Sequence, residues 1–244
     1  MRAGQVPLGT LLARWVVFRP IDVSGPLTAG GARAGGALGT LSLALLSLLK
    51  IAAAQDEALY AAAPPPGSAF VRVVATTRQG SVKLGATDLG ALAPGGASAY
   101  RPRPAGSGPV VSGALQCNYT AEAGQYYTVV LPAAGSSTTC TTLHDPAPPS
   151  RSKAGLVLYN LSRSGPLTLE TADGAVKVIE ALGAGALADR AVNALPVTLR
   201  VSRPQGPPLP LPELSLRRGG VWSVFVREEG NGLSVSVVEN TTGA

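Results

Sequence analysis

Apolar and polar positions alternate in short bursts along most of this chain, and Gly or Pro cuts the bursts at intervals of about ten residues. Residues 69–75 (AFVRVVA), 126–131 (YYTVVL), 155–161 (GLVLYNL) and 221–228 (VWSVFVRE) are rich in β-branched and aromatic side chains, which suit a pleated strand. Further strands are predicted at 81–85, 89–93, 97–102, 110–114 and 138–143, and again at 166–174, 175–183, 197–202 and 213–216. The segment 233–239 (LSVSVVE) alternates almost without fault, which predicts a strand with one wet face. No stretch of the body carries a sustained helical period with caps. Between the two groups of strands lies DPAPPSRS (145–152), whose three prolines within four residues cannot donate to a sheet. The pattern predicts an all-β chain of two tandem antiparallel β-sandwich domains, 55–144 and 154–244, joined by a Pro-rich linker at 145–153.

The two groups of strands can be laid on each other. Phe70 matches Leu156 at an offset of 86, Asp88 matches Asp173 at 85, and Tyr127 matches Trp222 at 95. The Pro-rich insertion 204–212 absorbs the change of offset. The order of strand, turn, strand, Asp-containing turn and late aromatic strand repeats, which predicts an internal duplication.

The first 54 residues differ from the rest. Residues 37–49 (ALGTLSLALLSLL) form an uncharged apolar run with Arg33 before it and Ala52 and Ala54 after it. A positive flank, a short apolar run and small residues at the −3 and −1 positions are the marks of a secretory signal. The run is shorter than the roughly 20 residues that span a bilayer. Residues 1–54 are therefore predicted to be a leader and signal peptide, cleaved between Ala54 and Gln55. Export gives the two cysteines a meaning, since paired thiols in one domain oxidise outside the cytoplasm. Cys117 and Cys140 are predicted to form a structural disulfide.

Composition narrows the function. Only 14% of the 244 residues are charged, 45% are apolar, and Gly and Pro number 30 and 21, a turn-rich profile that excludes a disordered chain or a coiled coil. The formal net charge of +6 is concentrated in residues 1–54, where five cations face one acid. The body shows no basic cluster interleaved with aromatics, which argues against nucleic-acid binding. One His and two Cys leave no multi-ligand metal site, and no Gly-rich turn opens a helix to cradle a phosphate, so no cofactor is expected. His144 and Asp145 are adjacent, and neighbours in a strand point to opposite faces, so they make no natural catalytic dyad. No Gly-x-Ser-x-Gly elbow occurs, and no catalytic residue is assigned. Glu228 and Glu229 precede Gly230-Asn231-Gly232, a hairpin signal rather than an acid/base pair. What remains is a candidate interaction surface. Arg72, Arg101 and Arg103 in the first domain and Arg200, Arg203, Arg217 and Arg218 in the second have the planar fork that holds a carboxylate. Trp222 is a candidate aromatic anchor, with Tyr126, Tyr127 and Phe225 divided between core and surface.

Four blocks carry a family resemblance: QDEALYAAAPPPGSAFVRVV (55–74), LYNLSRSGPLTLETADGAVKVI (158–179), ADRAVNALPVTLRV (188–201) and SLRRGGVWSVFV (215–226). With these the chain resembles the AlgF family of alginate biosynthesis proteins. The resemblance covers the predicted mature chain, with the segment from Arg101 to Thr142 the loosest part. It implies a periplasmic protein required for O-acetylation of the mannuronate residues of alginate. It also implies exported and membrane acetyltransferase components as partners, and the polymer as a further candidate partner. Acyl transfer needs an activated nucleophile and a positioned base, and the residues offer neither. The expectation is a non-catalytic adaptor, with a polyuronate-binding module as the alternative and an O-acetyltransferase as a third reading.

Overall fold

Strands buried on both faces organise the molecule. The computed structural model describes residues 63–133 and 139–243; the leader, the signal segment and the Ala54–Gln55 cleavage site lie outside the described residues. The first half contributes β1 (Ser68–Ala75), β2 (Gln79–Leu84), β3 (Thr87–Leu92), β4 (Arg101–Pro104), β5 (Gly106–Ser112), β6 (Leu115–Ala121), β7 (Tyr126–Leu131) and β8 (Thr141–Asp145). The second contributes β9 (Ala154–Asn160), β10 (Leu167–Thr171), β11 (Lys177–Leu182), β12 (Leu187–Val192), β13 (Pro196–Val197), β14 (Leu199–Ser202), β15 (Leu209–Pro210), β16 (Leu214–Ser215), β17 (Val221–Glu229) and β18 (Gly232–Glu239). No helix occurs among the described residues. The chain forms two tandem all-β domains.

Each half is a sandwich of two four-stranded sheets. One sheet has the order β4-β1-β7-β8 in the first half and β12-β9-β17-β18 in the second; the other has the order β3-β2-β5-β6 or β11-β10-β14-β15. The same order recurs in both halves, with the short β13–β16 pair added in the second. The pairing is antiparallel except at the centre of one sheet in each half, where β1 runs parallel to β7 and β9 to β17. Those strands sit between two packed layers, which explains their near-continuous apolar runs.

Alternation assigns the faces. Val71, Val73, Tyr127, Val129 and Leu131 point into the first sandwich core with Val82, Leu84 and Val110. Leu156, Leu158, Trp222, Val224 and Val226 fill the second with Leu167, Leu169 and Leu199. The opposite faces of the two parallel-centred sheets meet each other, and Val74, Val130, Val157, Tyr159 and Phe225 form a third apolar cluster between the halves.

Several expectations change in detail. The β1–β7 register places Val71 beside Tyr127, and the β9–β17 register places Leu156 beside Trp222. Leu156 therefore corresponds to Val71 and not to Phe70, a one-residue correction that exchanges the two faces. β6 and β12 are strands that the apolar pattern alone did not predict. The polar face of β18 is only partly wet: Leu233, Val235 and Val237 pack on the second core, while the half-exposed Ser236 donates through Oγ to the Gly95 carbonyl of the first half at 2.8 Å. The neighbouring half covers part of that polar stripe.

Candidate functional site

Arg72 lies in the middle of β1 on the face that meets the second half. It is 0% exposed and is the largest fully buried side chain of the described residues. Burying a guanidinium costs several kcal/mol, and this one is surrounded by acceptors. Nε donates to Thr128 Oγ1 at 2.8 Å and Nη1 to Asn240 Oδ1 at 2.7 Å. Nη2 donates to Tyr159 Oη at 2.9 Å and to Ser223 Oγ at 2.8 Å. The rings of Tyr100, Phe225 and Tyr159 lie 4.5, 5.3 and 5.5 Å from its Cζ, close enough for their negative faces to stabilise the cation.

The negative charge of this seam is Asp145, at the end of β8 and 2% exposed. Its carboxylate accepts from Tyr100 Oη at 2.8 Å, Thr128 Oγ1 at 2.5 Å and Tyr159 Oη at 2.8 Å. Thr128 and Tyr159 each accept from Arg72 and donate to Asp145, so two hydroxyls relay one charge to the other. Burial pushes the Tyr159 hydroxyl up to about 12, with Arg72 acting against the shift. Burial likewise raises Tyr100, again opposed by Arg72. Both phenols stay protonated and act as donors.

The strand registers show where these groups come from. Thr128 and Ser223 occupy equivalent positions in β7 and β17, and Asp145 and Asn240 are equivalent at the ends of the following strands. Arg72 corresponds to Val157, and Val74 to Tyr159. The two faces meet as unlike partners: Arg72 and Asp145 lie on one side, and the Tyr159 and Ser223 hydroxyls and the Asn240 amide on the other.

A cavity of about 140 Å³ adjoins the seam, lined among others by Tyr100, Tyr126, Asp145, Tyr159, Asn240 and Thr242. A groove of about 420 Å³ elsewhere is lined by Arg163, Ser164, Gly165, Arg203, Pro204 and Gln205.

The remaining candidate residues scatter. Arg72 is no surface residue, because its strand is covered on both sides. Trp222 is not an exposed anchor either: it is 6% exposed within the second core. Tyr127 and Phe225 are buried too, and Tyr126 is half-buried, stacked on Phe70. Arg101 and Arg103 lie half-buried on edge strand β4. Arg200 is held by the buried carboxylate of Glu170 at 2.8 Å and so is not free for a partner. Arg203 is half-buried in the groove, its guanidinium packed over Gly206. Cys117 on β6 and Cys140 just before β8 are joined in a disulfide, with Cα atoms 5.9 Å apart. His144 is exposed on β8; its ring lies 5.1 Å from that of Tyr127 and its Nε2 is 3.2 Å from Gln125 Oε1. Asp145 points to the other face of the strand. Among the described residues no group of three His, Cys, Asp or Glu side chains is placed to hold a metal ion. No helix among them is long and apolar enough to cross a membrane.

The seam was missed because a lone Arg in an apolar run reads as solvent-facing. Its signal was present: FVRVVA is apolar on both sides of Arg72, as expected of a strand covered on both faces.

Fold and seam together define a tandem β-sandwich protein built from two docked copies of one topology. The family model described as alginate O-acetyl transferase AlgF matches residues 40–223. The alginate biosynthesis protein AlgF of Azotobacter vinelandii is 34% identical over 187 residues, covering 75% of this chain and 83% of the relative. Its counterpart in Pseudomonas aeruginosa is 32% identical over 191 residues, covering 78% and 87%. A solved structure of the C-terminal domain of AlgF from P. aeruginosa is 32% identical and covers 36% of this chain and 99% of that domain, with a TM-score of 0.34. The chain belongs to the AlgF family.

Proposed function

We propose that this protein is a periplasmic accessory component of alginate O-acetylation, an adaptor between the membrane and exported acetyltransferase components. The observation that carries the adaptor reading is His144. Its ring packs against the Tyr127 ring and its Nε2 meets the Gln125 amide, so it is paired with no hydroxyl or thiol, and it faces away from Asp145. Histidine-dependent acyl transfer uses a nucleophile hydrogen-bonded to the imidazole and a group that orients the ring. Asp145 is occupied by three hydroxyl donors of the seam. In this reading residues 1–54 are removed after Ala54, residues 145–153 link domains at 55–144 and 154–244, and Cys117 and Cys140 are oxidised in the periplasm. The test is a pull-down of residues 55–244 against the acetyltransferase components of the host, with and without polymannuronate. Capture in the absence of polymer is the expected result. Turnover of an acetyl-ester donor by the purified protein, abolished by His144→Ala, would overturn the adaptor reading.

A second reading, a polyuronate-binding module, rests on the 420 Å³ groove, where Arg163 and Arg203 stand with Ser164 and Gln205. Arg163, at the edge of that groove, already holds one carboxylate on its other side, that of Glu228, through Nε at 3.1 Å and Nη2 at 2.9 Å. This reading expects salt-sensitive retardation in gels containing polymannuronate, lost in Arg203→Ala. Unchanged mobility across salt concentrations would remove it.

A further inference from the structure

The backbone does not stay within the second half after β18. Asn240 N–H still donates to the Val221 carbonyl of its own sheet at 2.8 Å. The next residues cross over. Tyr100 N–H of the first half donates to the Thr241 carbonyl at 2.8 Å, and Gly243 N–H donates to the Tyr100 carbonyl at 2.8 Å, giving a parallel bridge between Tyr100 and Thr242. Gly243 packs against the Arg101 guanidinium so closely that a Cβ would sit 2.6 Å from Nη1. At the root of this strap, Asn240 Oδ1 accepts from Arg72 Nη1 at 2.7 Å and from Ser223 Oγ at 2.8 Å. The strap and the Arg72 seam therefore share one residue, and Thr241 and Thr242 wall the cavity beside it.

We propose that residues 240–243, anchored through Asn240 to the positioning residue Arg72, are a latch that fixes the two sandwiches as one rigid body with a composite surface for partners. The apolar cluster between the halves supplies attraction without direction. Direction comes from polar bonds that cross the junction: Arg72 to Tyr159, Ser223 and Asn240, Tyr159 to Asp145, Ser236 to Gly95, and the two backbone bonds of the strap. These groups are unlike across the two halves, so a shift or rotation of one face on the other leaves Arg72 only Thr128 of its own half and strips Nη1 and Nη2 of their acceptors. Only one docking satisfies the buried charge.

The test measures residual dipolar couplings and 15N relaxation on the full mature chain, wild type against an Asn240→Ala, Gly243→Pro double variant. Proline at 243 removes the strap donor, and both changes lie outside the sandwich cores. In the wild type, amides of both halves are expected to fit one alignment tensor and one rotational correlation time. In the double variant they are expected to separate into two tensors and two times, while chemical shifts in β2–β3 and β10–β11 persist. Two tensors in the wild type would overturn the proposal. So would a single tensor in the variant, or its outright unfolding, which would make the strap part of one fold and not a latch. A second arm rests on the adaptor reading: capture of the acetyltransferase components should weaken about tenfold or more once the halves are released, since a binding-competent arrangement is then only fractionally populated. Undiminished capture by a variant with two tensors would overturn the composite surface. A wild type that captures nothing but keeps one tensor would remove the adaptor reading and leave the latch standing.

Discussion

A single buried arginine with no acidic side chain in direct contact is an unusual way to join two sheets, and its energetics can be checked. Arg72→Met keeps the length and apolar stem of the side chain but withdraws the charge that Asp145 answers. It also leaves Tyr159, Thr128, Ser223 and Asn240 each short of one donor. Removing one member of a buried charged network typically costs about 3–5 kcal/mol. Urea unfolding of Arg72→Met should show a loss in that range, whereas Arg218→Met on the exposed surface should fall within about 0.5 kcal/mol of wild type. Equal small effects for both would show that the seam contributes little to stability. Residue chemistry at this scale was only partly legible in the sequence. The opposite orientation of His144 and Asp145 follows from strand alternation and is observed. The burial of Arg72 and Trp222 does not follow from local pattern, because it depends on a second sandwich covering β1 and on how β17 is turned toward its own core.

At the scale of elements, the disulfide and the junction turn make separate predictions. The Cys117–Cys140 bond ties β6 to the segment before β8, with a sequence separation of 23. Closing a loop of that length should stabilise the fold by about 3 kcal/mol through the unfolded chain. A Cys117→Ser, Cys140→Ser double variant should lose about that much in urea unfolding, and unaltered stability would contradict the entropic account. Gly95 brings a first-half turn against β18. It has φ +71°, and any Cβ there would collide with Ser236 and come within 3.1 Å of Arg227 Nε. Gly95→Ala should cost about 1–2 kcal/mol for the left-handed backbone alone. It should also perturb amide shifts around Ser236 in the other half, and shifts confined to the 93–96 turn would count against the contact. The strands themselves were mostly readable. β7 matches its predicted bounds, and the β17–β18 hairpin turns at Gly230-Asn231 where the dipeptide marks it. β6 (LQCNYTA) alternates well, but its outward positions are Gln, Asn and Thr and its inward ones include Cys and Ala, which give little apolar signal. β12 (LADRAV) is an edge strand with three exposed positions in its centre, so its sequence carries even less.

For the whole molecule, the titrating groups predict a stability plateau with two edges of different physical origin. On the acid side, Asp88 is held below the usual carboxylate range first by the Gly90 backbone N–H and then by the Ser81 hydroxyl. Asp173 is lowered by the Thr171 hydroxyl and the Ala175 N–H in the matching hairpin of the second half. Glu228 is lowered by hydrogen bonds from Arg163, and Glu229 first by Ser234 and then by Arg227. A carboxylate with a lower pKa in the folded chain adds stability above its unfolded value of about 4 and loses it as pH falls through the folded value. On the alkaline side the sign reverses. Tyr159 is raised to about 12, so the unfolded chain releases this proton near pH 10 while the folded chain retains it. Its contribution is complete below about pH 10 and is lost as pH rises through about 12. Tyr100, raised in the same direction, steepens that edge. Thermal unfolding of the oxidised protein should therefore be flat from about pH 5 to 9 and fall on either side. Salt separates the two edges further. Asp88 and Asp173 owe their shifts mainly to neutral hydrogen-bond donors, so added salt should leave most of the acid edge in place, weakening the part due to the Arg163–Glu228 and Arg227–Glu229 pairs. The alkaline edge belongs to buried phenols beyond the reach of screening: Tyr100 and Tyr159 between the halves, and Tyr119 in the first core, which burial raises in the same direction. An alkaline edge that moved to lower pH in the Asn240→Ala, Gly243→Pro variant, with the acid edge unchanged, would assign it to the junction. An edge that stayed in place would mean either that Tyr100 and Tyr159 remain sealed without the strap or that Tyr119 in the first core dominates it.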